Sequence, residues 1–153
     1  MNALELKIPP PVVALVFAAA MWLIAKTFPG IPAPGEIRYA VLAMLGLLGY
    51  GSALTGFLSF KKVKTTIDPT TPGNASSLVT SGIYRITRNP MYLGLLIILI
   101  GWGVFLSNLF ALAFSACFVF YMNRFQIAQE ERALEEIFGE AYTAYKGRVR
   151  RWV

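Results

Sequence analysis

The sequence predicts an all-α, polytopic membrane protein of about four transmembrane helices, and three observations carry that prediction. Hydrophobic residues make up 56% of the chain and charged residues only 14%, which is too apolar for a soluble domain of this length. The apolar residues come in blocks of membrane-spanning length. Between the blocks stand prolines, glycines and lysines, the residues that stop helices or anchor them at an interface.

Positions 11–28 form the first predicted span, opened by Pro9 to Pro11 and closed by Pro29-Gly30. About 18 residues at roughly 1.5 Å each suffice to cross. The preceding residues carry no basic segment and no small-residue cleavage site, so this span is expected to be retained. Positions 29–36 (Pro-Gly-Ile-Pro-Ala-Pro-Gly-Glu) hold prolines that fix φ and push their predecessors to extended geometry, predicting a tight external turn. A second span follows at 37–60. It carries Gly46, Gly49, Gly51, Ser52, Ala53 and Gly56, small residues that let helix backbones approach closely and are compatible with a homodimer contact.

Lys61, Lys62 and Lys64 are expected to end this helix abruptly. From there to Asn89 the chain carries five basic residues against one acid, Asp68, so the positive-inside rule places the segment in the cytoplasm. With four spans both termini then lie on the cytoplasmic side. Positions 65–77 read as a turn-rich loop.

Positions 91–106 and 109–122 are two further apolar runs joined by Ser107-Asn108, a capping turn pair, and predict a helical hairpin with a re-entrant hairpin as the alternative. The helical pattern then continues past Met122. Ile127, Leu134, Ile137 and Phe138 keep an apolar stripe, Gly139 is placed as a stop, Glu130 and Glu131 flank the stripe, and Arg132 and Glu136 point away. The tail, with Tyr142, Tyr145, Lys146, Arg148, Arg150, Arg151 and Trp152, is basic and aromatic, suited to fold back on the loop or lie among headgroups. The chain reads as one domain: two N-terminal spans over 1–60, a cytoplasmic loop over 61–90, and the hairpin with its tail over 91–153.

Composition also excludes several functions. The formal charge of +6 is spread beside hydrophobic segments and not gathered in one dense run, which fits contact with anionic membrane lipids and no nucleic acid partner. The chain has one cysteine, Cys117, and no histidine, so it forms no internal disulfide, no Cys- or His-based metal site and no imidazole-driven nucleophile. No Walker or dinucleotide glycine pattern is present. A small transporter is an alternative of another class, but the predicted spans hold no Asp or Glu for coupling or substrate pairing.

Three polar groups are expected to converge on the cytoplasmic side: the segment Gly82 to Tyr92, the pair Glu130 and Glu131, and the tail residues Tyr142, Tyr145 and Arg148. The hairpin begins at the first and returns just before the second. Together they offer carboxylates, guanidinium groups and phenols. That set suits a zwitterionic, aromatic-bearing cofactor: a sulfonium gains from Tyr faces, an amino group from Glu, a carboxylate from Arg. The plainer reading has Arg88 snorkelling to phosphates and the glutamates on a solvated face. A carboxylate beside an apolar stripe nevertheless needs a partner.

The run Val79-Thr80-Ser81-Gly82-Ile83-Tyr84-Arg85, leading to Arg88-Asn89-Pro90-Met91-Tyr92-Leu93-Gly94, is followed after the hairpin by Glu130-Glu131, Leu134-Glu135, Phe138-Gly139, Tyr142 and Tyr145. Over about the second half of the chain this resembles the isoprenylcysteine carboxyl methyltransferase and phospholipid methyltransferase group of membrane enzymes. The resemblance implies S-adenosyl-L-methionine as cofactor and a lipophilic or lipid-modified acceptor, carboxylate or amine, arriving from the bilayer. It implies a cofactor site built from Gly82, Tyr84, Arg88, Asn89, Pro90, Tyr92, Glu130, Glu131, Tyr142 and Tyr145. Arg88, Asn89 and Glu131 are the implied catalytic set, with Arg88 on the acceptor or the cofactor carboxylate, Glu130 or Glu131 on the cofactor amino group, and Glu131 the proton acceptor for an amine. Asn89 stands where many relatives have His, and Asn takes up no proton at neutral pH, which removes a direct base role there. The C-terminal halves of membrane sterol reductases are similar in their Arg-x-Pro-x-Tyr and terminal Tyr/Arg features, which keeps a nicotinamide-dependent reductase as the second enzymatic reading.

Overall fold

The computed structural model describes residues 8–63 and 76–153. Lys64, Asp68 and most of the predicted turn-rich loop lie outside the described residues. Among the described residues all regular structure is helical: α1 (Pro10–Thr27), α2 (Gly35–Val63), a 3₁₀ turn (Gly82–Arg85), α3 (Pro90–Phe105), α4 (Leu109–Met122), a π-helical turn (Asn123–Ile127), α5 (Ala128–Phe138) and α6 (Glu140–Arg148). Among the described residues three helices are long and apolar enough to cross a membrane: α1, α2 and the continuous run Leu109–Phe138. The predicted third span is α3, apolar but only 16 residues long.

α2 is longer than expected at both ends. Gly35 and Glu36, expected in the external turn, are its first residues: they follow the last proline, and an acid in the first turn favours the positive end of the helix dipole. At the other end Lys61 and Lys62 lie inside the last turn, where cations complement the dipole, so they continue the helix and do not break it.

α3 is the centre of the bundle, packed against α1, α2 and α4. Its contact with α2 is backbone on backbone. A Cβ built on Gly49 would lie 2.5 Å from the carbonyl oxygen of Gly94, and one built on Gly94 would lie 2.4 Å from that of Gly49. Ser52 Oγ donates to the Pro90 carbonyl at 2.8 Å a turn further on. Between lipid-embedded helices the driving forces are close packing and interhelical hydrogen bonds, and this face supplies both. Of the small residues of α2, Gly49, Ala53 and Gly56 are used within the chain, whereas a Cβ on Gly46 or Gly51 would meet nothing among the described residues.

α1 closes the other side, with Phe17 against Phe114, Phe118 and Tyr121, and with Trp102 Nε1 donating to the Ala18 carbonyl at 3.0 Å. At the α3–α4 turn Asn108 caps α4 by accepting from the Ala111 N–H at 2.9 Å. Its amide also donates to the carbonyls of Phe28 and Pro29, tying the end of α1 to the hairpin.

At the opposite end the π turn inserts one extra residue and so rotates the side chains after it by about 100°. Gly139, at φ 50°, ends α5 and lets α6 turn back, as its stop-signal position predicts. The C-terminal residues then run beside the segment before α3. The Arg88 N–H donates to the Arg150 carbonyl at 3.0 Å, Asn89 Nδ2 donates to the Arg151 carbonyl at 2.9 Å, and Trp152 Nε1 donates to Asn123 Oδ1 at 3.0 Å. The tail folds back on the loop, one of its two expected placements.

Candidate functional site

The first wall is the stretch leading into α3. Gly82 takes φ +63°, a conformation that favours glycine, and opens the 3₁₀ turn that buries Tyr84. The Tyr84 carbonyl accepts from the hydroxyl of Tyr145 at 2.7 Å, which fixes α6 against the turn. Pro90 sits at the start of α3, where its missing N–H leaves no unsatisfied donor. Tyr92, in the first turn of α3, is buried and donates its hydroxyl to Glu130.

The second wall is α5 and α6. Glu131 is buried and held by two guanidinium groups: Arg88 Nη2 reaches Oε1 at 2.8 Å, while Arg151 Nε reaches Oε1 at 3.1 Å and Nη2 reaches Oε2 at 2.6 Å. Its neighbour Glu130 receives instead the hydroxyl of Tyr92 and, at 3.0 Å, the side-chain amide of Gln126. Arg88 also donates from Nη1 to the Lys146 carbonyl at 3.3 Å, and its buried Nε has no hydrogen-bond partner among the described residues. Burial pushes the Tyr145 phenol up to about 12 and raises those of Tyr84 and Tyr142. All three thus remain neutral hydrogen-bond donors at physiological pH. The hydrogen bond from Arg151 to Glu131 raises that guanidinium, reinforcing its charge.

Tyr84, Arg88, Asn89, Tyr92, Glu130, Glu131, Tyr142 and Tyr145 all line one cavity of about 90 Å³. The structure thus brings together eight of the ten residues expected at a cofactor site. Gly82 and Pro90 shape the wall without lining the cavity. Arg148 does not join it: at the last position of α6 it is exposed and lies with Thr80 and Arg85 around a separate hollow. Arg151 and Gln126 were missed by sequence reasoning, as were the apolar lining residues Phe60 and Leu78, whereas Val79 stands at the head of the motif without having been assigned to the site. The only signal for Arg151 was the basic tail, and nothing in its spacing linked it to Glu131.

A second cavity, an apolar groove of about 440 Å³, adjoins the first. Pro9 to Pro11, Tyr50, Ala53, Leu54, Phe57 and Leu95 line it, and Met91 and Tyr92 line both cavities.

The phospholipid methyltransferase family matches residues 37–141, from α2 through the start of α6. An uncharacterized protein of Haemophilus influenzae is 48% identical over 63 residues, 41% of this chain and 100% of that protein. Protein-S-isoprenylcysteine O-methyltransferase B of Arabidopsis thaliana is 42% identical over 74 residues, 47% of this chain and 36% of the plant protein. Protein-S-isoprenylcysteine O-methyltransferase of Mus musculus is 40% identical over 73 residues, 48% of this chain and 26% of the mouse protein. The similarity thus spans about a third or less of those two named enzymes, whereas the family match takes in well over half of this chain and both walls of the site as far as Ala141. The chain belongs to the phospholipid methyltransferase family.

Proposed function

We propose that this chain transfers a methyl group from S-adenosyl-L-methionine to a lipidic or lipid-modified acceptor at the cytoplasmic face of a membrane. The observation that carries this reading is the meeting of a charged, aromatic-lined cavity with an apolar groove at Tyr92 and Met91. The donor set fits the cofactor better than the free volume alone conveys. Arg88 has a buried Nε–H to offer a carboxylate, Glu131 has a carboxylate to offer an amino group, and Tyr84, Tyr142 and Tyr145 provide faces for a sulfonium or an adenine. Bound there, the cofactor supplies a methyl carbon activated by positive sulfur. The chain's own task is to align the acceptor with that carbon and exclude water. Arg88 and Glu131 hold the polar end, and the groove takes the hydrocarbon of the acceptor, which favours burial in an apolar channel.

The cytoplasmic assignment rests on charge. Lys61, Lys62, Arg85, Arg148 and Arg150 gather at the end of the bundle that carries the cavity, as the positive-inside rule requires. Pro9 to Pro11 also lie at that end, beside Tyr92, so both ends of the described chain are on one side. Calorimetry in detergent micelles tests the reading and its reductase rival together. We expect binding of S-adenosylhomocysteine and none of NADPH, and the reverse result would overturn the proposal.

A further inference from the structure

We propose that the hollow between Arg85 and Arg148 binds a phosphate anion carried by the headgroup of an anionic membrane lipid, which holds the two walls of the site together and is not itself the acceptor. Binding there is independent of the methyl-transfer reading.

The hollow, of about 410 Å³, is lined by Thr80, Arg85, Tyr145, Arg148 and Val149, and shares none of its lining with the apolar groove. Its two arginines differ from the pair around the first cavity. Arg88 and Arg151 are committed to Glu131, whereas among the described residues no carboxylate pairs with Arg85 or Arg148. Arg148 spends Nε on the Ala144 carbonyl at 3.3 Å, and the Arg85 guanidinium makes no hydrogen bond among the described residues. Two like charges around one hollow repel each other. An anion between them removes that cost and gains charge-assisted hydrogen bonds. Guanidinium forks match phosphate oxygens in pairs, and the Thr80 hydroxyl adds a further donor.

The depth of the hollow points to lipid as the carrier. The 3₁₀ turn that ends at Arg85 packs on the end of α2, with the rings of Tyr84 and Phe60 5.5 Å apart. On that stretch of α2 Phe57 and Leu58 are exposed, and Lys61 and Lys62 follow. Apolar residues giving way to lysines mark the level of the headgroups. Ile86, exposed directly after Arg85, adds an apolar contact at that level. A zwitterionic headgroup would bring its own cation to a hollow that already holds two, so a net anionic lipid is preferred. Arg85 belongs to the first wall and Arg148 to the second. Tyr145, which ties those walls by donating to the Tyr84 carbonyl at 2.7 Å, lines both the cavity and the hollow. A phosphate bridging the two arginines reinforces that tie, and its occupancy is read as stability of the folded protein.

The test titrates dioleoylphosphatidylglycerol, dioleoylphosphatidylcholine and inorganic phosphate, at the same total concentrations, into delipidated protein in detergent micelles. Melting temperature is measured, and retained lipid is followed by native mass spectrometry. Wild type is compared with R85Q/R148Q and with K61Q/K62Q, which removes equal charge from the same end of the bundle. Expected is a rise of about 5 °C with phosphatidylglycerol in wild type and K61Q/K62Q, and little change with the other two additions. In R85Q/R148Q the rise should be lost and phosphatidylglycerol should bind at least about tenfold more weakly. Both side chains are exposed, so this variant should melt no lower than wild type without lipid. Should it not fold, Arg85→Gln and Arg148→Gln singly replace it, each expected to bind the lipid several-fold more weakly. A response to phosphatidylglycerol unchanged by the arginine substitutions, or lost equally in K61Q/K62Q, would overturn the site. An equal rise with phosphatidylcholine would contradict the need for a net anion, and an equal rise with inorganic phosphate would contradict the lipid as its carrier.

Discussion

Along one face of α3 two helix backbones touch at Gly49 and Gly94, while at the start of the same helix the contacts are between charged and phenolic side chains, Arg88 to Glu131 and Tyr92 to Glu130. The first region is held by shape and the second by pairing. They fail differently in consequence: the bundle has no room for added volume, and the site fails by the loss of a buried partner. The functional reading depends on the second region, but α3 positions Tyr92 only because α2 packs closely along it.

The largest effect is expected where a buried ion pair loses one member. Arg88→Ala leaves Glu131 with Arg151 alone and should cost about 3–5 kcal/mol, read as a lowered melting temperature in detergent. Its methyl transfer should fall at least about 100-fold, as for loss of a group placed at the reacting centre. A Gly94→Val protein probes the other region. The new methyls would strike the Gly49 carbonyl and Ala53, so stability should fall by about 1–3 kcal/mol or more, while the folded fraction keeps its affinity for S-adenosylhomocysteine. If that variant instead loses binding without losing stability, the two regions are not separable.

Smaller still is Arg151→Ala. This side chain is partly exposed, so screening limits its stabilisation to about 1 kcal/mol, and a melting shift of a few degrees should be the result. Lys62→Ala marks the low end of the series. Lys62 is exposed at the end of α2 and should matter to membrane orientation only, leaving methyl transfer unchanged when insertion is intact. Equal losses of methyl transfer in Arg88→Ala and Lys62→Ala would erase the distinction between a binding site and a general basic patch.

Much of this difference is legible in the sequence, but unevenly. The hairpin is read almost to the residue, because Ser107-Asn108 is a local turn signal and Asn108 acts through its own side chain. The two walls are legible as motifs, since their residues fall in short runs on either side of that hairpin. What is missed depends on long-range register. Nothing in the small residues of α2 says that Gly49 meets Gly94, so the resemblance legible in the sequence covers only about the second half of the chain, although the family match begins at position 37. The π turn over Asn-Arg-Phe-Gln-Ile has no compositional mark, yet it sets how Glu130 and Glu131 together are rotated relative to α4. Arg151 reaches Glu131 only because α6 doubles back at Gly139 and the tail pairs with Arg88 and Asn89. A chain reversal of that kind is a tertiary fact, and no spacing encodes it.

The central claim is that the cavity between the start of α3 and the α5–α6 turn holds the methyl donor. A structure of the detergent-solubilised protein determined with S-adenosylhomocysteine tests it most directly. The claim predicts the ligand's amino-acid end among Arg88 and Glu131, with its sulfur facing Tyr92 and the mouth of the apolar groove. A ligand bound elsewhere, with Arg88, Glu131 and Tyr92 out of contact with it, would contradict the claim.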